Sequence, residues 1–360
     1  MLAWVILAVA LSVPALAYVG YPLWAWLRAR LWPRPVARDL TLRPSVTVVI
    51  AAWREAGSIA AKLASLAAQD YPAALVEVIV ACDGSDDGTD ELARTGGAKV
   101  LMLPRGGKPS ALNAAVAAAR GEVIVFTDAR QPLWPGSVKA LVANLGDPTV
   151  GAVGGRLVLE GDAPAGAYWR YEAALRRWEG LAGSTVGVSG ALWAVWRSLL
   201  SPLPPETILD DVLAPMRVRL KGLRVVYEPD AVAVDRAAES GREFQRKVRT
   251  LSGNFQLLAL LPSLLVPWRN PSWGDFMWHK LLRLVVPWAL LAALGASFAL
   301  PWPWAPLVAG AQLSGYALAG LRGVGLRLPL SGLAETFVVL NAAAAWGLLR
   351  FLRHGRRLPW

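Results

Sequence analysis

Long apolar stretches and a periodic middle divide this chain. Residues 1–27 carry no charge, nor do 284–300 and 303–320. A helix rises about 1.5 Å per residue and needs about 20 apolar residues to cross a bilayer core. The first stretch is long enough and the other two just long enough. From about 40 to 250 the pattern changes to that of a globular domain. "VTVVIAAW" (46–53) is a continuous β-branched run, as in a strand covered on both faces. "SIAAKLASLAAQ" (58–69) has helical spacing, "VEVIVACDGS" (76–85) predicts a second strand, 88–94 a short helix and "AKVLML" (98–103) a third strand. "KPSALNAAVAAAR" (108–120) predicts a helix with Pro109 early and Gly121 beyond its end, and "EVIVFT" (122–127) a fourth strand.

Strand and helix alternating in this way imply an α/β fold with a doubly wound parallel sheet and right-handed crossovers. Such sheets bind ligands beyond the carboxyl ends of their strands. Asp83, Asp128 and the corner Trp53-Arg54-Glu55 fall there. Neither a G-x-G-x-x-G nor a G-x-x-x-x-G-K-[ST] motif is present. "PRGGKPS" (104–110) is either an ordinary turn or a loop whose glycines and Lys108 approach a phosphate at a helix N-terminus.

Charge sharpens the picture. The 360 residues carry a net charge of +11, with 55% hydrophobic residues and a mean hydropathy of +0.40. The basic residues crowd the apolar runs, with Arg28, Arg30, Arg34 and Arg38 after the first and Arg350, Arg353, Arg356 and Arg357 at the C-terminus. That position argues for a membrane surface and against nucleic acid. Ala15-Leu16-Ala17 resembles a signal-peptide cleavage site, but no basic region precedes the apolar run, which continues through Trp26. We therefore read an uncleaved anchor, with its N-terminus outside. The single cysteine, Cys82, excludes an internal disulfide.

"FQLLALLPSLLVPW" (255–268), broken by Pro262 and Pro267, reads as an interfacial segment. His279, Lys280 and Arg283 mark the cytoplasmic side of a span near 284–300, and "PWPW" (301–304) an outer turn. Arg322 and Arg327 then lie inside. The stretch 333–351, with Glu335 and Asn341, is interfacial, re-entrant or a span. His279 and His354 lie far along the chain from the acids and are assigned no chemistry.

Taken together, these landmarks resemble membrane-anchored family 2 glycosyltransferases of the GT-A fold, related to bacterial polysaccharide synthases. The resemblance covers about 45–255 and implies a nucleotide-sugar-binding domain that transfers a sugar by direct displacement, with inversion. It makes Glu55, in "AAWREAG", a contact to the nucleotide base or ribose, with Ala52 lining the pocket. In "CDGSDDGT" it makes Asp83 a partner of the base, while Ser85, Asp87 and Thr89 fix the turn. Lys108 in "RGGKPSALNAA" would approach the nucleotide. "VSGALWAVWR" (188–197) resembles the loop beneath the acceptor, with Gly190 allowing close approach. In "ILDDVLAPMRVRLKG" (208–222) Asp211 aligns with the catalytic base and Asp210 lies on the acceptor side. Arg249, in "FQRKVRT" (244–250), fits an arginine that contacts diphosphate.

Two motifs depart from the family pattern. "FTDAR" stands where the family has acid-x-acid, so Arg130 replaces the second acid. Asp128 alone would hold a divalent cation, Mg²⁺ or Mn²⁺, with water and diphosphate completing its shell. Arg130 lies against the diphosphate, points away or pairs with an acid. Arg246 and Thr250 replace the Gln and Trp of the last motif, which weakens any reading as a processive polymerase. The domains expected are an anchor over 1–27, a cytosolic GT-A domain over 40–240, a basic interfacial segment over 241–280, and a transmembrane region of two or three helices over 281–352. The expected function is an inverting, multi-pass inner- or plasma-membrane glycosyltransferase with a cytoplasmic catalytic domain. It would use a UDP- or GDP-linked sugar and a lipid-linked or saccharide acceptor. The alternative is an inactive GT-A scaffold subunit. Transport is disfavoured by the lack of paired intramembrane charges and inverted repeats.

Overall fold

The computed structural model describes residues 1–160, 166–236, 243–326 and 328–358. The inside placement of Arg327 lies outside the described residues. The predicted alternation is present: β1 (Val46–Ala52), α3 (Ala56–Ala67), β2 (Val76–Asp83), α4 (Thr89–Thr95), β3 (Lys99–Leu103), α5 (Lys108–Ala118) and β4 (Val123–Thr127). These follow an N-terminal pair of helices, α1 (Leu2–Ala15) and α2 (Tyr21–Leu31), which a π-helical turn over Leu16–Gly20 joins into one continuous helix. The four strands are parallel, with Val46 opposite Val76 and Ala52 opposite Cys82. That register brings the ends of β1 and β2 level, so the Trp53–Glu55 corner and Asp83 emerge side by side.

The sheet does not stop at four strands. After α6 (Ser137–Asn144) come β5 (Val150–Glu160), α7 (Gly166–Ala182), β6 (Leu192–Trp196), α8 (Asp210–Leu220) and β7 (Arg224–Arg236). The order is β3-β2-β1-β4-β6-β5-β7, and β6 runs antiparallel to both neighbours. The sheet is therefore mixed, not uniformly parallel. "LWAVW" is buried over four of its five residues, and an apolar run of that kind carries no signal of strand direction. By reversing, β6 starts at the edge where β4 ends, and it carries the 188–191 loop to that edge.

Alternate residues of β1 face two cores. Val46, Val48 and Ile50 pack with Ile59, Leu63 and Leu66 of α3 and Leu141 of α6. Val49 faces the other way, into a core with Leu112 and Ala115 of α5, Leu213 and Met216 of α8, and Leu257 of α9 (Glu243–Leu260). Helices thus cover both faces, which is why β1 reads as an unbroken apolar run.

The span expected near 284–300 starts earlier. α10 (Trp273–Phe276), a π-helical turn (Met277–Leu281) and α11 (Leu282–Phe298) form one helix. α12 (Trp304–Gly323) and α13 (Ser331–His354) follow. Among the described residues, three helices are long and apolar enough to cross a membrane: Leu2–Leu31, Trp273–Phe298 and Ser331–His354. α12 has the length but is less apolar. The stretch 255–268 is not one segment: its first six residues finish α9, and a 3₁₀ turn over Pro262–Leu265 buries Leu264.

Gly121, just before β4, is fixed by a close approach. A Cβ there would lie 2.4 Å from the Thr47 nitrogen, while its own N–H donates to Thr47 Oγ1 at 2.8 Å. Backbone cannot retreat as a flexible side chain can, so Gly121→Ala should destabilise by about 1–3 kcal/mol, the usual range for overpacking. Thermal unfolding of detergent-solubilised protein would show this as a lowered midpoint, and an unchanged midpoint would contradict the packing described.

Candidate active site

Three loops meet at the carboxyl edge of β1, β2 and β4. The first follows Ala52. Arg54 has φ +54°, a left-handed conformation uncommon for a residue with a side chain. Its surroundings hold it there: its N–H donates to Ser85 Oγ (3.1 Å), and its guanidinium spans both oxygens of Asp86 (2.8 and 2.7 Å). The Glu55 N–H donates to Thr89 Oγ1 and the Ala56 N–H to Asp87 Oδ2, each at 3.0 Å. The turn after β2 therefore braces the corner after β1. The Glu55 carboxylate accepts from Ser58 Oγ (2.7 Å) and lies 3.8 Å from Arg130 Nε. Arg130 thus faces an acid across the cleft, one of the arrangements that the sequence left open.

Asp83 is 3% exposed, and donors from the 105–107 loop surround its carboxylate. Oδ1 accepts from the Gly106 N–H at 2.6 Å, and Oδ2 from the Gly107 N–H at 2.9 Å and Arg105 Nη1 at 2.8 Å. Gly107 has φ +86°, a backbone conformation open mainly to glycine. The Arg105 guanidinium also lies over the Trp53 ring, 3.9 Å from its centroid. Sequence reasoning placed Trp53 at the ligand edge without a role and did not assign Arg105 to the site, although Arg105 stands inside a motif it quoted.

Lys108 opens α5, and its ammonium is the pivot of the cleft. It donates to Asp128 Oδ1 at 3.0 Å and lies 3.5 Å from Asp210 Oδ2. Burial alone would push its pKa down, but Asp128, Asp210 and Asp211 together hold it well above the ordinary value. Asp210 and Asp211 are the first residues of α8. Asp211 Oδ2 accepts the Gly190 N–H at 3.1 Å, and the Asp211 carbonyl accepts the Val188 N–H at 3.0 Å. A Cβ on Gly190 would meet that carboxylate oxygen at 3.4 Å, an ordinary van der Waals contact, so the close approach expected of this glycine is not demanded by space. Burial, and next the Asp210 charge, raise the Asp211 carboxyl to about 6, while Lys108 and Lys280 oppose the rise. Arg249 of α9 is within electrostatic reach of Asp210, and burial is the main cause of its lowered pKa.

The acids of β2, β4 and α8 therefore converge: Asp128 and Asp210 share one ammonium, and Asp83 shapes the loop that delivers it. Among the described residues, no three His, Cys, Asp or Glu side chains come close enough to hold a metal ion. A cation bound here would need further ligands from a bound molecule, such as phosphate oxygens, to complete its shell.

His279 has partners that its position in the sequence did not suggest: it is buried against two α7 acids, with Nδ1 2.6 Å from Glu179 Oε1 and Nε2 3.5 Å from Glu172 Oε2. Both glutamates belong to α7, so chain distance concealed the contact.

Residues 47–201 match the family described as Glycosyl transferase family 2. An N-acetylglucosaminyltransferase of Rhizobium leguminosarum bv. trifolii is 35% identical over 124 residues, covering 32% of this chain and 68% of that protein. An N-acetylglucosaminyltransferase of Rhizobium sp. (strain N33) is 27% identical over 350 residues, covering 83% of this chain and 77% of its own. Among solved structures, the mannosyltransferase PcManGT from Pyrobaculum calidifontis, in complex with GDP-Man and Mn2+, has a TM-score of 0.77 and 29% identity, covering 96% of this chain and 99% of that one.

The raised Asp211 pKa has a stability consequence. A carboxyl that titrates at about 6 when folded, against about 4 unfolded, keeps a proton that the unfolded chain has released. Stability is therefore lost as pH rises through that window. Asp211→Asn removes the loss and keeps an acceptor for the Gly190 N–H. Thermal unfolding should find the variant more stable than wild type at pH 8, by at most about 3 kcal/mol, with no gain near pH 4. A gain that does not depend on pH would contradict the assignment.

Proposed function

We propose that this chain, which belongs to glycosyltransferase family 2, moves a sugar from a nucleotide-diphosphate donor to a lipid-linked or saccharide acceptor, with inversion, using Asp211 as general base. The observation that carries this reading is the arrangement of Lys108 between Asp128 and Asp210, with Asp211 beside it at a pKa of about 6.

The roles follow from the chemistry. Ala52, Glu55 and the Asp83-braced loop flank the place for the nucleotide base and ribose. The diphosphate would lie at the start of α5, where Lys108 and the helix N-terminus offset its charge. Arg130 and Arg249 would add positive charge as the leaving group departs, Arg130 by releasing its loose contact to Glu55. A divalent cation, Mg²⁺ or Mn²⁺, held by Asp128 and the donor's phosphates would supply further charge offset. The mannosyltransferase with GDP-Man and Mn2+ supports a donor and cation of this kind.

Asp211 takes the acceptor hydroxyl's proton as that oxygen attacks the anomeric carbon from the face opposite the diphosphate, and the configuration inverts. A carboxyl at about 6 is mostly ionised at neutral pH yet basic enough to accept a proton. Gly190 fixes one oxygen of Asp211 through its backbone N–H, which leaves the other for the acceptor. The neighbouring apolar helices Leu2–Leu31, Trp273–Phe298 and Ser331–His354, with arginines following the first, favour a site on the cytoplasmic membrane face and an acceptor carried by lipid.

The test uses detergent-solubilised protein, a panel of UDP- and GDP-sugars with Mg²⁺ or Mn²⁺, and membrane lipid extract as acceptor source. Release of nucleoside diphosphate should fall at least about 100-fold in Asp211→Asn. The wild-type rate should rise with pH through an apparent pKa near 6, a value belonging to the coupled acid pair. Lys108→Met should move that limb upward, because Lys108 holds the Asp211 pKa down. Equal background from wild type and Asp211→Asn with every sugar would overturn the proposal.

A further inference from the structure

Lys62, on α3, has no exposed surface. Its ammonium donates to Thr127 Oγ1 and to the Gln131 carbonyl, both at 2.6 Å. Among the described residues, no carboxylate bonds to it directly. Burial pushes its pKa down to about 7, and Asp128 partly offsets that. A buried ammonium without a bonded counter-ion is poorly suited to stabilising a fold, and an apolar side chain of similar volume is often neutral or stabilising in such a place. What the ammonium holds explains it better. Thr127 and Gln131 bracket the turn that carries Asp128 and Arg130. The Thr127 hydroxyl, accepting from Lys62, donates in turn to the Ala191 carbonyl at 2.6 Å. Ala191 is next to Gly190, whose N–H fixes Asp211.

We infer that Lys62 is a positioning residue for transfer: it ties both ends of the donor turn to one buried point and, through Thr127, ties that turn to the loop that aims Asp211. The inference rests on the roles given above to the donor turn and to Asp211. Lys62 touches neither the donor nor the acceptor. It sets how accurately Asp128 and Arg130 meet the diphosphate, and how the base stands relative to them. Small displacements at such positions carry large rate penalties.

Two substitutions in the full-length protein separate this role from plain structural support. Lys62→Met should keep or raise the unfolding temperature, since it removes a buried charge. It should weaken binding of UDP or GDP, whichever the wild type binds by calorimetry, about 10-fold, and lower kcat about 10-fold. Thr127→Val leaves the Lys62–Gln131 bond and cuts the connection to Ala191. It should leave nucleotide affinity within about 2-fold of wild type while kcat falls about 10-fold. A Lys62→Met protein with a lowered unfolding temperature but wild-type nucleotide affinity and donor KM would make Lys62 a structural cation and overturn the inference. So would wild-type kcat in Thr127→Val, which decides the matter alone if Lys62→Met does not fold. Wild-type protein that releases no nucleotide from any sugar would overturn the functional reading and this inference with it. An active wild type with unaltered variants would overturn the inference alone.

Discussion

Without a positive charge between them, Asp128 from the end of β4 and Asp210 from the start of α8 would face each other across a narrow gap. Two carboxylates so placed resist ionising together. The Lys108 ammonium is within 3.5 Å of both and relieves that repulsion. The sheet is built so that this can happen. β2 supplies Asp83, Asp83 folds the 105–107 loop around its carboxylate, and the loop delivers Lys108 to the cleft. The arrangement also puts Lys108 where a diphosphate would compete with the acids for it. Under the proposed function, donor binding would thereby be linked to the electrostatic state of Asp211 through one side chain.

The parts of the fold legible in the sequence were those written in periodicity. β1 to β4 and the helices between them follow from apolar runs and helical spacing, with boundaries displaced by a few residues at most. The direction of β6 was not legible, because a five-residue apolar strand looks the same run either way. Its reversal matters to the site, since it brings Gly190 to the edge where Asp128 emerges. The acids themselves were legible through their motifs. Partnerships were not. Arg130 opposite Glu55, Arg105 over Trp53, and Thr127 between Lys62 and Ala191 are set by which loops the sheet brings together. Lys62 stands inside a helix quoted for its spacing, where a lysine ordinarily reads as solvated.

His279 shows the same limit more sharply. Near the start of an apolar run, a histidine beside Lys280 and Arg283 suggests a membrane boundary and nothing else. The counter-charges are on α7, which no sequence motif singled out. Glu172 accepts from Arg283 Nη1 at 2.6 Å, and Glu179 accepts from the Tyr21 hydroxyl at 2.6 Å. Asp275 in turn joins Tyr21 and Arg28. The helix Leu2–Leu31, the α7 helix of the sheet domain and the helix Trp273–Phe298 therefore share one buried polar seam.

That seam alters what the chain's outline means. Hydropathy draws borders near 40 and 240, with a globular unit between two greasy flanks. The borders run through partnerships: Glu172 and Glu179 lie inside them, while Arg283, His279 and Tyr21 lie outside. A fragment trimmed to the tidy middle would retain two sequestered carboxylates without Arg283, His279 and the Tyr21 hydroxyl, which bond to them in the whole chain. The apolar helices are thus more than tethers, for they finish the interior of the part that performs the chemistry.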